Sequence, residues 1–180
     1  MSQIIFVRHA ETDMAGRFCG HSDPGLNARG RAQLSRLIGQ LRQAEFERIF
    51  ASDLARARQT AEAIGDHFGL AVVCRPGLRE IYFGDWEGLS WPEIEMRDPE
   101  QARRWVEEYP HFPAPGGETL ERFRTRVRTE IEFLAQAAER SPAVVVTHAG
   151  FLRVAFERTR GIDLPTDYGA LVQAESGELV

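Results

Sequence analysis

Two short runs of consecutive apolar, mostly β-branched residues set the tightest limit on how this chain can fold: residues 3–7 (QIIFV) and 143–147 (AVVVT). Each reads as a buried strand. Between them, residues 28–43 carry Ala32, Leu34, Leu37, Ile38 and Leu41 at helical spacing behind Asn27 as N-cap. Residues 48–51 read as a short strand. Ser52 is expected to cap a helix over 53–68 that Gly69 stops, and 70–74 reads as a further strand. Residues 75–92 are turn-rich. Helical stretches are expected at 92–97, 99–108, 118–139 and 151–159, with a Pro- and Gly-rich loop at 109–117. Residues 170–173 and 178–180, joined by a turn at 175–177, suggest a terminal hairpin. Strands alternate with helices, so the fold class is α/β: a three-layer α/β/α sandwich around a mainly parallel central sheet. The length of 180 residues suits a single domain, 1–180. Residues 81–140 carry little strand character and are expected to form a helical cap inserted over the sheet.

Composition narrows the chemistry. The formal net charge of −5 argues against nucleic acid as a partner, because backbone affinity needs a broad basic surface. All 22 basic residues are arginine. Schiff-base and P-loop lysines are therefore excluded, and a bound phosphate must rest on arginine, histidine or backbone N–H groups. Cys19 and Cys74 form no metal or redox motif, and no histidine pair has zinc-ligand spacing, so no metal and no cofactor are expected. No run of about 18 apolar residues exists, so no membrane span is expected. A reduced, cytoplasmic setting fits the cysteine usage and the absence of a signal-peptide pattern.

Two histidines stand just past the carboxyl ends of the two best strands. His9 follows Arg8 after the first, and His148 follows the second. In an open α/β sheet ligands bind beyond those ends. His148 also opens a helix start, where free N–H groups favour an anion, and residues 52–56 begin another helix at the same end of the sheet. Arg8, His9, Arg56 and His148 are thereby able to meet around one phosphate, to which the planar fork of arginine is well matched.

The motifs carrying these residues resemble those of the histidine phosphatase superfamily, which includes the cofactor-dependent phosphoglycerate mutases. Residues 8–12 (RHAET) resemble its opening RHG-E-T. Residues 20–23 (GHSD) and 26–33 (LNARGRAQ) resemble the segments that follow. Residues 52–61 (SDLARARQTA) are similar to S-x-L-x-R-A-x-x-T, 78–88 to L-x-E…G-x-x-E-G, and 145–150 (VVTHAG) to V-x-[ST]-H-G-G. The wording of 84–88 (GDWEG) is most similar to the α-ribazole phosphatase branch of cobalamin synthesis.

The resemblance implies a metal-independent phosphomonoesterase acting through a phosphohistidine on His9. Arg8, Arg56 and a protonated His148 would stabilise charge, and Glu80, its pKa raised by burial, would serve as general acid and then base. Glu11 and Asp85 are lower-ranked rivals for that role. The implied substrate contacts are Arg8, Thr12, Gly20, His21, Arg56, His148 and Ala149. Arg56 rather than Arg58 matches the motif, and the two lie about 200° apart on a helix. The implied substrate is a small phosphate ester, with α-ribazole 5′-phosphate as the named example. Alternatives are phosphoglycerate mutase-type transfer, a phosphohistidine protein phosphatase, or a non-catalytic phosphate-binding module. Ala10 replaces the family glycine, Ala15 stands where many members carry a phosphate-contacting asparagine, and the chain stops short of the C-terminal elements of longer relatives. The aromatic residues of the 81–140 stretch are expected to pack the cap, and the terminal hairpin offers an edge for a second copy, making a homodimer.

Overall fold

The computed structural model describes residues 3–108, 111–157, 167–175 and 179. Five strands form one sheet: β1 (Gln3–Arg8), β2 (Arg48–Ala51), β3 (Val72–Cys74), β4 (Ala143–Thr147) and β5 (Leu171–Glu175), in the order β3-β2-β4-β1-β5. Every pairing is parallel except β1 with β5.

The apolar runs are continuous because both faces of the sheet are covered. Ile4, Phe6, Phe50, Ala143 and Val145 face one way, into a core completed by helices α5 (Leu120–Ala138) and α6 (Ala149–Ala155). Ile5, Val7, Ile49, Ala51, Val144 and Val146 face the other, against α1 (Ala28–Leu41) and α2 (Ala55–Phe68). The three-layer α/β/α sandwich is thus the observed architecture. Asn27 caps α1 by accepting from Gly30 N at 2.7 Å, and Gly69 ends α2 in the left-handed region at φ 69°.

Three expectations shift. Ser52 does not cap α2, which begins at Ala55; the Ala55 N–H is taken instead by Asp23 Oδ1 at 2.5 Å, leaving the Ser52 hydroxyl for another partner. The cap insertion does not extend to residue 140. Helix α5 buries Phe123, Val127, Ile131 and Leu134 on the sheet, so it belongs to an outer layer of the sandwich. What stands away from the sheet is a shorter stretch with its own small core of Trp86, Ile94, Ala102 and Ala114, built on α3 (Trp91–Arg97) and α4 (Pro99–Glu107), against which Phe18, Phe83, Trp91 and Trp105 pack. Finally, β5 runs through Glu175 along β1, and the second arm of the expected hairpin lies largely outside the described residues.

Candidate active site

The sheet register brings the two histidines together. Arg8 of β1 pairs with Thr147 of β4, so the next residue on each strand is a histidine, and adjacent strands lie about 4.8 Å apart. His9 N donates to Thr147 O at 3.0 Å, and the His9 and His148 ring centroids are 5.1 Å apart. Strand β2, on the other side of β4, pairs Ala51 with Val146 and so delivers Ser52, whose hydroxyl lies 2.8 Å from His148 Nε2.

His9 Nδ1 lies 2.8 Å from Ala10 O. A carbonyl can only accept, so Nδ1 carries the proton and Nε2 keeps its lone pair. Nε2 in turn accepts from Arg56 Nε at 3.3 Å. Burial, with Arg56 next in weight, holds His9 down at about 3, so the ring is neutral at physiological pH. His148 is held well below the ordinary histidine range by the same burial and by Arg56 and His9. That direction runs against the expected protonated His148, whose Nδ1 is buried without a hydrogen-bond partner.

Arg56, almost wholly buried on the first turn of α2, donates to Ser22 O at 2.8 Å, Cys19 O at 3.1 Å and Gly20 O at 2.8 Å. One turn on, Thr60 donates to Arg56 O at 2.7 Å and accepts from Ala10 N at 3.0 Å, tying the helix to the backbone beside His9. Arg58 faces outward and pairs with Glu62 at 3.0 Å. Arg8 lies 4.0 Å over the Tyr168 ring, and burial draws its guanidinium below its ordinary value.

Glu80 accepts from Gly150 N at 2.8 Å and Ile81 N at 3.0 Å, and is only 8% exposed. Burial raises its pKa, against the opposing pull of those two N–H groups and of Arg56 and Arg8. The rivals lie elsewhere. Glu11 accepts from Asn27 Nδ2 at 3.1 Å at the head of α1, and Asp85 is exposed on the cap.

A cavity of about 270 Å³ opens at this end of the sheet, lined by Arg8, His9, Thr12, Glu80, Ala149 and Tyr168, with Phe18, Phe83 and Trp91 from the cap side. A second cavity of about 350 Å³ shares Phe18, Glu80, Phe83 and Ala149 with it and continues between Trp105, Phe112 and Phe123 to Arg153 and Glu118. Of the expected substrate contacts, Arg8, Thr12 and Ala149 line the first cavity. Arg56 and His148 lie behind His9, almost without exposed surface. Gly20 contributes its carbonyl to Arg56 instead of a free surface, and the His21 ring lies against Glu80 O, Nε2 to oxygen at 3.0 Å, instead of lining either cavity. Ala10 is buried and needs no glycine: among the described residues no non-glycine residue has a positive φ.

Three residues matter here that received no role in the site from the sequence: Ser52, which was read only as a helix cap, Tyr168 and Glu87. Glu87 accepts from the N–H groups of Gly20, His21, Ser22 and Phe83 and from Ser22 Oγ, fixing the loop whose carbonyls hold Arg56. Burial alone would raise its pKa; these donors outweigh it and keep the carboxylate ionised. Among the described residues, no group of three His, Cys, Asp or Glu side chains is arranged to hold a metal ion, and no helix is long and apolar enough to cross a membrane.

Comparison with known proteins agrees with this geometry. The model of the histidine phosphatase superfamily (branch 1) matches residues 4–171. The chain is 34% identical to phosphoserine phosphatase 1 of Hydrogenobacter thermophilus over 166 residues, 91% of this chain and 79% of that protein. It is 32% identical to an adenosylcobalamin/alpha-ribazole phosphatase of Salmonella typhimurium over 158 residues, 87% of this chain and 78% of that protein. A crystal structure of phosphoglycerate mutase from Thermus thermophilus superposes with a TM-score of 0.75 at 37% identity, covering 95% of this chain and 91% of the other. The chain belongs to branch 1 of the histidine phosphatase superfamily and is a phosphatase of that family.

Proposed function

We propose that the chain hydrolyses phosphate monoesters without a metal, through a phosphohistidine on His9. One observation carries this reading: a single small cavity holds a histidine kept neutral beside a carboxyl whose pKa burial raises, each displaced from its ordinary behaviour in the direction its role requires. His9 Nε2 attacks phosphorus, the N–P bond forms and the ester P–O bond breaks. The Nδ1–H bond to Ala10 O keeps the tautomer fixed as positive charge spreads over the ring. Glu80 gives its proton to the leaving oxygen, then takes one from the water that cleaves the phosphohistidine to release inorganic phosphate. Arg8, which lines the cavity, stabilises the equatorial oxygens, and the Arg56 Nε–H, which His9 Nε2 accepts before attack, passes to a phosphoryl oxygen as that lone pair turns to phosphorus. With Nε2 accepting from the Ser52 hydroxyl, His148 Nδ1 carries the ring proton and is a buried donor without a partner that a phosphoryl oxygen held beside His9 would satisfy.

The aromatic walls of the adjoining cavity favour a leaving group with a flat apolar part, which suits α-ribazole 5′-phosphate better than phosphoserine. A mutase-type reading draws on the likeness to the Thermus thermophilus protein. Phosphate release from 4-nitrophenyl phosphate and a panel of esters, with chelator present, separates these readings. Wild type should turn over in chelator, and His9→Ala should lose at least about 10³-fold. Release from no ester, together with phosphoryl exchange between phosphoglycerates, would replace hydrolase by mutase. No turnover of either kind would leave a binding module.

A further inference from the structure

Residues 77–82 carry Glu80 but belong to no helix or strand beyond the 3-10 turn at Pro76–Leu78, so their backbone groups need partners from elsewhere. For the carbonyls of 77–80 those partners are side chains. Arg126 Nη1 donates to Gly77 O at 3.0 Å and Arg79 O at 2.7 Å, and Nη2 donates to Glu80 O at 3.1 Å. His21 Nε2 reaches the same Glu80 oxygen at 3.0 Å, and Thr147 Oγ1 donates to Leu78 O at 2.8 Å. The two remaining N–H groups of Arg126 donate to Glu118, Nε to Oε1 at 3.2 Å and Nη2 to Oε2 at 2.7 Å. All five guanidinium donors are engaged. Glu118 is bound back to the same segment, its N donating to Tyr82 O at 2.8 Å and its Oε2 accepting from Tyr82 N at 3.3 Å.

We infer that Arg126, seated on the layer helix α5 and oriented by Glu118, is a positioning residue for Glu80, with His21 as its counterpart on the other side of the Glu80 carbonyl. The inference rests on the acid role proposed for Glu80. Arg126 lines neither cavity, so it acts through Glu80 and not on the phosphoryl group. A lysine cannot replace it, since one ammonium cannot span three carbonyls and a carboxylate in fixed geometry.

The test is the dependence of kcat/KM on the acidity of the leaving phenol, using 4-nitrophenyl phosphate, phenyl phosphate and an alkyl phosphate. A nitrophenolate leaves without a proton, whereas the other two need the acid. Arg126→Met should cost about 10- to 100-fold on the phenyl and alkyl esters but no more than about 3-fold on the nitrophenyl ester, a partial version of the loss in Glu80→Gln. Arg126→Lys should show the same pattern, and Glu118→Gln a weaker one, so the outcome does not depend on the Met variant folding. If Glu80→Gln steepens the leaving-group dependence and the three other variants fall evenly on all esters or not at all, Arg126 is structural and the inference fails. If Glu80→Gln itself leaves the dependence flat, the acid role is wrong and the inference falls with it.

Discussion

A Cβ built on Gly150 would come within 2.1 Å of Glu80 Oε1 and 2.9 Å of its Cδ. The carboxyl packs against the start of α6 so closely that only a glycine fits, and the Gly150 N–H is one of its two donors. The obstructed atoms are the end of a flexible side chain, so an alanine would move the carboxyl and not the backbone. Alanine is also the better helix residue, by up to about 1 kcal/mol. Gly150→Ala should therefore separate activity from stability. The melting temperature should stay within about 3 °C of wild type, while kcat/KM for esters with poor leaving groups falls by about 10²-fold. A variant with wild-type turnover of phenyl phosphate would show that Glu80 does not need the place it occupies. At this scale the residues that the structure brings together in the candidate site were largely legible in advance. His9, Arg8, Arg56, Glu80 and His148 all announced themselves by residue type after a strand or within a motif. The downward shift of the His148 ring did not, because it depends on burial and on Arg56, neither of which has a signature in the sequence. Tyr168 escaped too, since nothing local distinguishes an aromatic that will lie 4.0 Å under Arg8 from one that packs elsewhere.

The loop between β1 and α1 is the element on which Arg56 depends. It has little regular structure. Beyond the bridge of Arg17 with Ser90 and the backbone bonds between Phe18 and the 88–89 turn, its order at Gly20–Ser22 comes from Glu87. Four N–H groups and one hydroxyl converge on that carboxylate, and the carbonyls of Cys19, Gly20 and Ser22 are thereby aimed at Arg56. Glu87→Gln keeps the shape but turns an NH₂ group toward donors, which leaves backbone N–H groups unsatisfied. The expected loss is about 2–4 kcal/mol in urea denaturation, with a raised KM as Arg56 loses its setting. An unchanged midpoint and KM would mean that the loop is ordered by something else. The motif containing Glu87 was visible in the sequence and its role was not, because an acceptor for backbone N–H groups has no partner side chain to suggest it. The same reason explains Ser52, a good N-cap by type, whose capping place is filled by Asp23 from this very loop. Most strands and helices were legible to within about two residues, since both faces of the sheet are buried and the periodicities are clean, but α6 begins two residues before the expected 151–159 and ends at Ala155. The limit of the cap was not, because α5 is as polar on its outer face as the cap helices and differs from them only in what its inner face meets.

In the folded molecule as a whole, function and stability depend on the same displaced protons. His9 titrates at about 3, and His148 also lies well below the ordinary value of about 6.5. Below pH 6.5 the unfolded chain binds protons at these positions that the folded chain refuses, so stability is present above that pH and is lost as the pH falls. Each such group contributes a slope approaching about 1.4 kcal/mol per pH unit. His21, lowered chiefly by partial burial, adds in the same direction. Glu80 works the other way. Its folded pKa is raised, so the stability linked to its proton grows as the pH falls toward the ordinary carboxylate range, but one carboxyl offsets at most one histidine. The two histidines together outweigh the one carboxyl, so stability should fall as the pH drops below 6.5. Carboxylate ion pairs do not confuse this window. Asp53, held down by Arg79, gives up its contribution only below the ordinary range of an aspartate. Calorimetry at pH 7 and pH 5 should show a clear drop in melting temperature at the lower pH. The drop should be larger in Glu80→Gln, which removes the opposing group, and smaller in His148→Gln, which removes one of the refused protons. Equal melting temperatures at the two pH values would mean that the histidines are not held neutral. The attack by His9 would then need a deprotonation step that the present geometry does not require, because it buries the ring between Arg56 and the Ala10 carbonyl.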